Sequence, residues 1–174
     1  IGKTAFQGCP NLISVTILGV KSIGENAFFT CEKLSSVTIS GNVDSIEEFA
    51  FYRCPVLSNL TLLDGVKSIG ENSFLDCNIT QVTIPGSVTF MGPSPFKSNR
   101  FLNSITILEG VTSISRYAFK SLNGLKTVII PNSVTVIDDY AFSECYSLRD
   151  VIIPDGVTYI GIEAFNRCRN LYNI

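Results

Sequence analysis

Apolar and polar positions recur along this chain about every 23 residues. A phenylalanine anchors each copy: Phe6, Phe28, Phe51, Phe74, Phe96, Phe119, Phe142 and Phe165, at spacings of 22, 23, 23, 22, 23, 23 and 23. Five residues before each anchor stands Ile1, Ile23, Ile46, Ile69, Met91, Ile114, Ile137 or Ile160. Eight before, from the second copy on, stands Val20, Val43, Val66, Val88, Val111, Val134 or Val157. A period this regular marks a stacked-repeat protein, because one copy can bury its apolar face only against its neighbours.

Each copy has three parts. The first reads L-x-x-V-x-I, as in Leu34-Val37-Ile39 or Leu148-Val151-Ile153. Its last positions alternate with polar residues and many are β-branched, which predicts a short strand with one buried face. Stacked copies give a parallel sheet with strands about 4.8 Å apart, so seven or eight of them make a rod roughly 35–40 Å long. The second part is a turn, for example Asp64-Gly65 or Pro131-Asn132-Ser133, whose residues fix or permit the φ values a reversal needs. The third runs from valine through isoleucine to Ala-Phe. Those side chains fill the interior opposite the sheet, and the Ala-Phe segment is expected to form one helical or 3₁₀ turn. A parallel β-helix is the alternative architecture, because Val-x-x-Ile could add a second sheet.

Two places depart from the pattern. Over Phe90–Phe101 the isoleucine becomes Met91, prolines enter at 93 and 95, and the cysteine position holds Asn99. Just upstream, Cys77-Asn78-Ile79 is one residue shorter than its counterparts. Tolerated drift in a loop and a true break in the array are both compatible with these changes. The chain opens at the isoleucine of one unit and ends in the strand of another. The reading is therefore a single solenoid over residues 1–174, truncated at both ends from a longer array.

Composition narrows the function. Charged residues make up 16% of the chain, the net charge is −2, and no basic stripe suited to nucleic acid is present. No apolar run reaches the ~18 residues of a membrane span. Histidine is absent, which removes the commonest general base and metal ligand. The repeated glycines (Gly2, Gly24, Gly70, Gly92, Gly161) come once per unit and read as structural punctuation, not as a phosphate loop. The adjacent acids Glu47-Glu48 and Asp138-Asp139 cannot face each other across a cleft and read as solvated surface. Cys9, Cys31, Cys54, Cys77, Cys145 and Cys168 each follow an anchor phenylalanine by three residues. Stacked neighbours could approach within disulfide reach, but equivalent side chains point the same way, so free buried thiols are expected. No enzyme, cofactor or metal site is expected.

The sheet face is the first candidate binding surface. Alternation turns one row outward: Thr16, Thr38, Thr61, Thr83, Thr106, Ile129 and Ile152. The row before it is Ser14, Ser36, Asn59, Gln81, Ser104, Thr127 and Asp150. Within them Thr61, Thr83, Thr106, Thr127, Ile129, Asp150 and Ile152 are the candidate ligand-binding residues. Ile129 and Ile152, with Pro131 and Pro154, suggest an apolar patch suited to an extended peptide or another protein. The competing account is sheet stability alone, since threonine is a good β-surface residue. An alternative site is an aromatic ridge of Phe29, Phe49, Tyr52, Tyr117, Tyr140 and Tyr159, whose competing account is packing between units.

The strand L-x-x-V-T-I, the turn P-x-x-V-T and the following I-G-x-x-A-F-x-x-C resemble the BspA-like leucine-rich repeats over essentially the whole chain. The resemblance implies a leucine-rich-repeat solenoid, with a parallel β-sheet on one side and short 3₁₀ or irregular turns on the other. It also implies a cell-surface or secreted protein and a non-catalytic role in binding proteins. Adhesion to host extracellular matrix glycoproteins is the favoured expectation. The alternative is a structural spacer that presents another domain.

Overall fold

The computed structural model describes residues 1–174 as a right-through stack of parallel strands with no helix. The L-x-x-V-x-I segments become the long strands β1 (Ser14–Leu18), β3 (Ser36–Ser40), β5 (Asn59–Leu62), β7 (Gln81–Ile84), β9 (Ser104–Ile107), β11 (Thr127–Ile129) and β13 (Asp150–Ile152). They form one seven-stranded parallel sheet in chain order. Equivalent residues pair directly, as Thr16 does with Thr38 and Ile129 with Ile152. The inward residues, among them Val37, Ile39 and Val82, are buried by that alternation.

The Val-x-x-Ile segments supply two-residue strands, so the second sheet contemplated for a β-helix is present in miniature. One ladder joins β2 (Ser22–Ile23), β4 (Ser45–Ile46), β6 (Ser68–Ile69) and β8 (Phe90–Met91). The other joins β10 (Ser113–Ile114), β12 (Val136–Ile137) and β14 (Tyr159–Ile160).

The Ala-Phe segments correct the expectation of a helical or 3₁₀ turn. Each is a run of tight turns with two left-handed residues, two before and two after the anchor: Asn26 and Thr30 around Phe28, Tyr140 and Glu144 around Phe142. That backbone is uncommon for residues with a Cβ. It persists because the alternation aims successive N–H groups at different partners. Phe29 N–H donates within the turn to Asn26 O, while Phe28 and Thr30 N–H donate across to Ala50 O and Tyr52 O of the next coil. Backbone donors are thus satisfied without a helix.

The anchors form the spine of the core. From Phe6 to Phe165 each ring stacks on the next, with centroids 4.8–5.9 Å apart. The interior rings Phe28 to Phe142 are buried. Gly70 shows why a glycine follows the isoleucine: a Cβ there would lie 2.7 Å from the Ile46 carbonyl oxygen of the coil before it. At the start of the stack Phe6 is exposed, and a cavity of about 380 Å³ bordered by Ile1, Leu12 and Val20 opens onto the core.

All six cysteines are free. Five of the thiols donate to the carbonyl of an anchor phenylalanine in the preceding coil, as Cys54 Sγ does to Phe28 O at 3.2 Å and Cys145 Sγ to Phe119 O at 3.1 Å. The position therefore asks for a donor as well as for small volume. Asn99 meets that demand by donating Nδ2 to Phe74 O at 2.8 Å.

Candidate functional site

Strand alternation places the outward rows where the sequence predicted them. Thr61, Thr83, Thr106, Thr127, Ile129 and Ile152 are exposed on the face of the long sheet, and Asp150 is half-buried there. Ile129 is 71% exposed and Ile152 68%, although they pair with each other across β11 and β13. Asp150 accepts a hydrogen bond from Tyr172 Oη at 3.3 Å. Pro131 and Pro154 do not extend the apolar patch: both are buried at the strand ends, so the patch is the isoleucine pair itself.

Some hydroxyls off this face tie one coil to the one before, while others, such as the buried Ser73 Oγ, have no partner. Thr89 Oγ1 donates to Lys67 O, Thr135 to Thr112 O, Thr158 to Thr135 O, and Ser133 Oγ to Val111 O. None of Thr16, Thr38, Thr61, Thr83, Thr106 or Thr127 makes a side-chain hydrogen bond within the chain, nor do Asn59, Gln81 and Ser104. Their donors and acceptors face solvent, where exchanging water for a partner group costs little.

The face is not uniform along its length. A shallow cavity of about 410 Å³ lies over β5, β7 and β9, with Thr61, Thr83 and Thr106 among its lining residues. Its rim is made by the residues just past the strand ends: Leu63 and Leu108 are exposed, and between them Pro85 is buried. Leu63 N–H donates to Ile39 O and Leu108 N–H to Ile84 O, but Pro85 has no N–H to offer Leu62 O. The sheet ladder is correspondingly thin between β5 and β7, where only Asn59 and Gln81 pair. Sequence reasoning missed Leu63, Pro85 and Leu108. The available signal was the Leu-Pro-Leu succession at the position after each strand.

The six aromatic candidates do not form one ridge. Phe29 stacks on Tyr52 at 5.3 Å, and Phe49 meets Tyr52 at 5.3 Å with tilted planes. Three coils on, Tyr117 stacks on Tyr140 at 5.0 Å, and Lys120 Nζ lies 5.4 Å and 5.8 Å from their ring centres. These five are half-buried against one another. Tyr159 stands apart in β14, opposite Val136. Asn72 and Ser94 occupy the intervening turns and separate the two clusters.

The Asp138-Asp139 pair has structural partners. Asp138 Oδ1 accepts the Asp139 N–H at 2.7 Å, and Asp139 Oδ1 accepts the Ile162 N–H at 2.8 Å. Glu48 sits in a row with Glu25 and Glu71, and partial desolvation together with those like charges holds its carboxyl above the usual range. No group of three or more His, Cys, Asp or Glu side chains is placed to hold a metal ion, and no helix could cross a membrane.

Comparison with known proteins agrees with this geometry. The family model described as BspA type leucine-rich repeat region matches residues 1–103 and 91–174, in six copies. A leucine-rich repeat protein from Bacteroides ovatus is 32% identical, with a TM-score of 0.84 over 92% of this chain and 42% of its own. A leucine-rich repeat protein from T. pallidum is 24% identical, with a TM-score of 0.71 over 99% of this chain and 71% of its own. The pneumococcal vaccine antigen PcpA is 20% identical, with a TM-score of 0.75 over 90% of this chain and 44% of its own. The last two show the fold alone. This chain spans less than half the length of the Bacteroides protein it matches. No curated protein matches it significantly. Leucine-rich repeats of this kind generally bind proteins and are typically non-catalytic, and the BspA-like ones are typically surface or secreted proteins of bacteria. With the family model covering the whole chain, the 23-residue coil, the phenylalanine spine and the seven-stranded sheet belong to a member of the BspA-type leucine-rich repeat family.

Proposed function

We propose that this chain is a non-catalytic protein-binding module of a surface or secreted protein, and that the face of the long sheet is where it binds. The reading follows from one juxtaposition: a continuous row of outward threonine hydroxyls with no partner in the chain runs into two exposed isoleucines on the same face. A surface needed only for sheet stability would gain nothing from leaving Ile129 and Ile152 open, because threonine occupies the same row in the five earlier strands. The row combines hydrogen-bonding groups at the strand spacing with apolar side chains at one end, which suits an extended segment of a protein partner. The partner favoured here is an extracellular matrix glycoprotein, bound in adhesion.

The test is binding of the purified chain to a panel of immobilised matrix glycoproteins at physiological salt. Saturable binding that disappears in the Ile129→Thr/Ile152→Thr variant supports both the function and the place. Saturable binding that survives the double change moves the site, with the Tyr117–Tyr140 pair the next surface to alter. A folded chain that binds nothing on the panel counts against adhesion and in favour of a spacer that presents another domain.

A further inference from the structure

The coils are held together by the same backbone bonds at nearly every boundary, so a boundary that lacks them stands out. Where coil 4 (β5, β6, Phe74) meets coil 5 (β7, β8, Phe96), five N–H groups off the long sheet cross over. They are Asn72 to Pro93 O, Phe74 to Pro95 O, Asp76 to Lys97 O, Gly92 to Ile69 O and Thr89 to Lys67 O. Where coil 6 (β9, β10, Phe119) meets coil 7 (β11, β12, Phe142), the same five recur, from Tyr117, Phe119, Ser121, Asp138 and Thr135. Between coils 5 and 6 only Ser94 to Arg116 O, at 3.0 Å, survives. Phe96, Ser98, Thr112 and Ser115 make none of the remaining four. The short-strand ladder divides at this same place, between β8 and β10. The phenylalanine spine is widest here, at 5.9 Å between Phe96 and Phe119.

The cause is legible in two residues, Pro95 and Leu122. Pro93 is harmless, since it sits second in a turn whose third residue, Ser94, has φ 57°. Pro95 is different: Ala118 and Ala141 at its position donate to Ser115 O and Asp138 O, and Pro95 cannot donate to Gly92 O. Gly92 O instead accepts the Ser115 hydroxyl at 2.8 Å, a side-chain bond in place of backbone ones. Leu122 stands at the cysteine position and brings no thiol to reach back to Phe96 O.

The long sheet behaves in the opposite way. β7 and β9 pair over four residues, from Gln81–Ser104 to Ile84–Ile107, whereas β5 and β7 pair only at Asn59–Gln81. Coil 5 is therefore fastened to coil 4 mainly on the turn side and to coil 6 mainly on the sheet side.

We infer that coil 5 is a built-in joint, at which the array divides into two cooperative blocks that change angle about the intact β7–β9 pairing. In a linear array stability is a sum over neighbouring interfaces, so the weakest one sets where cooperativity breaks. The joint lies directly behind the cavity over Thr61, Thr83 and Thr106, so a change of angle alters the spacing of the rungs that a partner on the sheet would span. The existence of the joint does not depend on the sheet being a binding face.

Amide hydrogen exchange on the intact, unmodified chain tests it. The expected result is exchange about tenfold or more faster at Phe96, Ser98, Thr112 and Ser115 than at Phe74, Asp76, Thr89 and Gly92 on one side, or at Phe119, Ser121, Thr135 and Asp138 on the other. Equal protection across the three boundaries overturns the joint. In low denaturant the amides of coils 2–5 and those of coils 6–8 are expected to reach two different exchange levels, and one common level also overturns it. A Pro95→Ala/Leu122→Cys variant, if folded, is expected to slow exchange at Phe96 and Ser98 towards the values of Phe119 and Ser121. A folded variant with unchanged exchange there refutes the assigned cause, and an unfolded one leaves the decision to the unmodified chain.

Discussion

Asn99 completes the backbone of Ile79, twenty residues upstream. The segment Cys77-Asn78-Ile79 is one residue short, so Ile79 cannot return its N–H to the cysteine carbonyl as Leu34 and Leu57 do to Cys31 and Cys54. Asn99 Oδ1 accepts that N–H at 3.1 Å, while its Nδ2 donates to Phe74 O at 2.8 Å and Phe96 O at 3.0 Å. All the groups are buried. Two irregularities of the sequence are thus one compensated change. Asn99→Ala leaves the Ile79 donor unsatisfied and is expected to cost about 1–3 kcal/mol. Asn99→Cys restores the reach to Phe74 O but not the acceptor for Ile79. Chemical denaturation should therefore rank it between alanine and asparagine, and a cysteine variant as stable as the parent would contradict this account.

The stacked spine makes a second prediction. Phe142 is buried between Phe119 and Phe165, with ring centres 5.4 Å and 5.3 Å away. Phe142→Ala should lower stability by about 3–5 kcal/mol, since the cavity lies inside a stack that cannot collapse sideways. Phe6→Ala, at the exposed start of the stack, should cost clearly less in the same denaturation experiment.

Ile129 and Ile152 separate folding from binding. Both face outward, so Ile129→Thr/Ile152→Thr should shift stability by no more than about 0.5 kcal/mol. A large loss of stability would mean that the strand phase is wrong by one residue, because a slip of one exchanges the two faces of a strand.

The thiols predict a response to alkaline pH. Burial pushes Cys31 from 9.0 up to about 11 and raises Cys145 and Cys168 as well. The folded state then keeps protons that the unfolded chain releases, so the stabilisation is complete below pH 9.0 and is lost as pH climbs towards about 11. Denaturation midpoints should fall across that window, and Cys31→Ala should flatten the fall. In the native chain the half-buried Cys9 and Cys168 should react with a thiol reagent before the four buried cysteines do.

The sequence by itself determined the coil. Val, Ile, Ala and Phe recur at constant offsets because each must meet its copy in the next coil, and that demand is written once per period. The outward rows Thr61 to Ile152 followed from strand alternation alone. Tertiary structure decided whatever depends on which groups meet across coils. It set the turns with left-handed residues at Asn26 and Tyr140, where the partner for an N–H lies one coil away and not in the local segment. It also decided that Pro131 and Pro154 are buried, that Tyr159 stands apart from Tyr140, and that Asn99 serves Ile79. Within its own unit Pro95 is compatible with drift in a tolerant loop as well as with a break in the array. The effect of Pro95 and Leu122 appears only where coil 5 meets coil 6: Gly92 O, left without the Pro95 donor, takes the Ser115 hydroxyl of the next coil, and Leu122 brings no thiol to Phe96 O of the coil before.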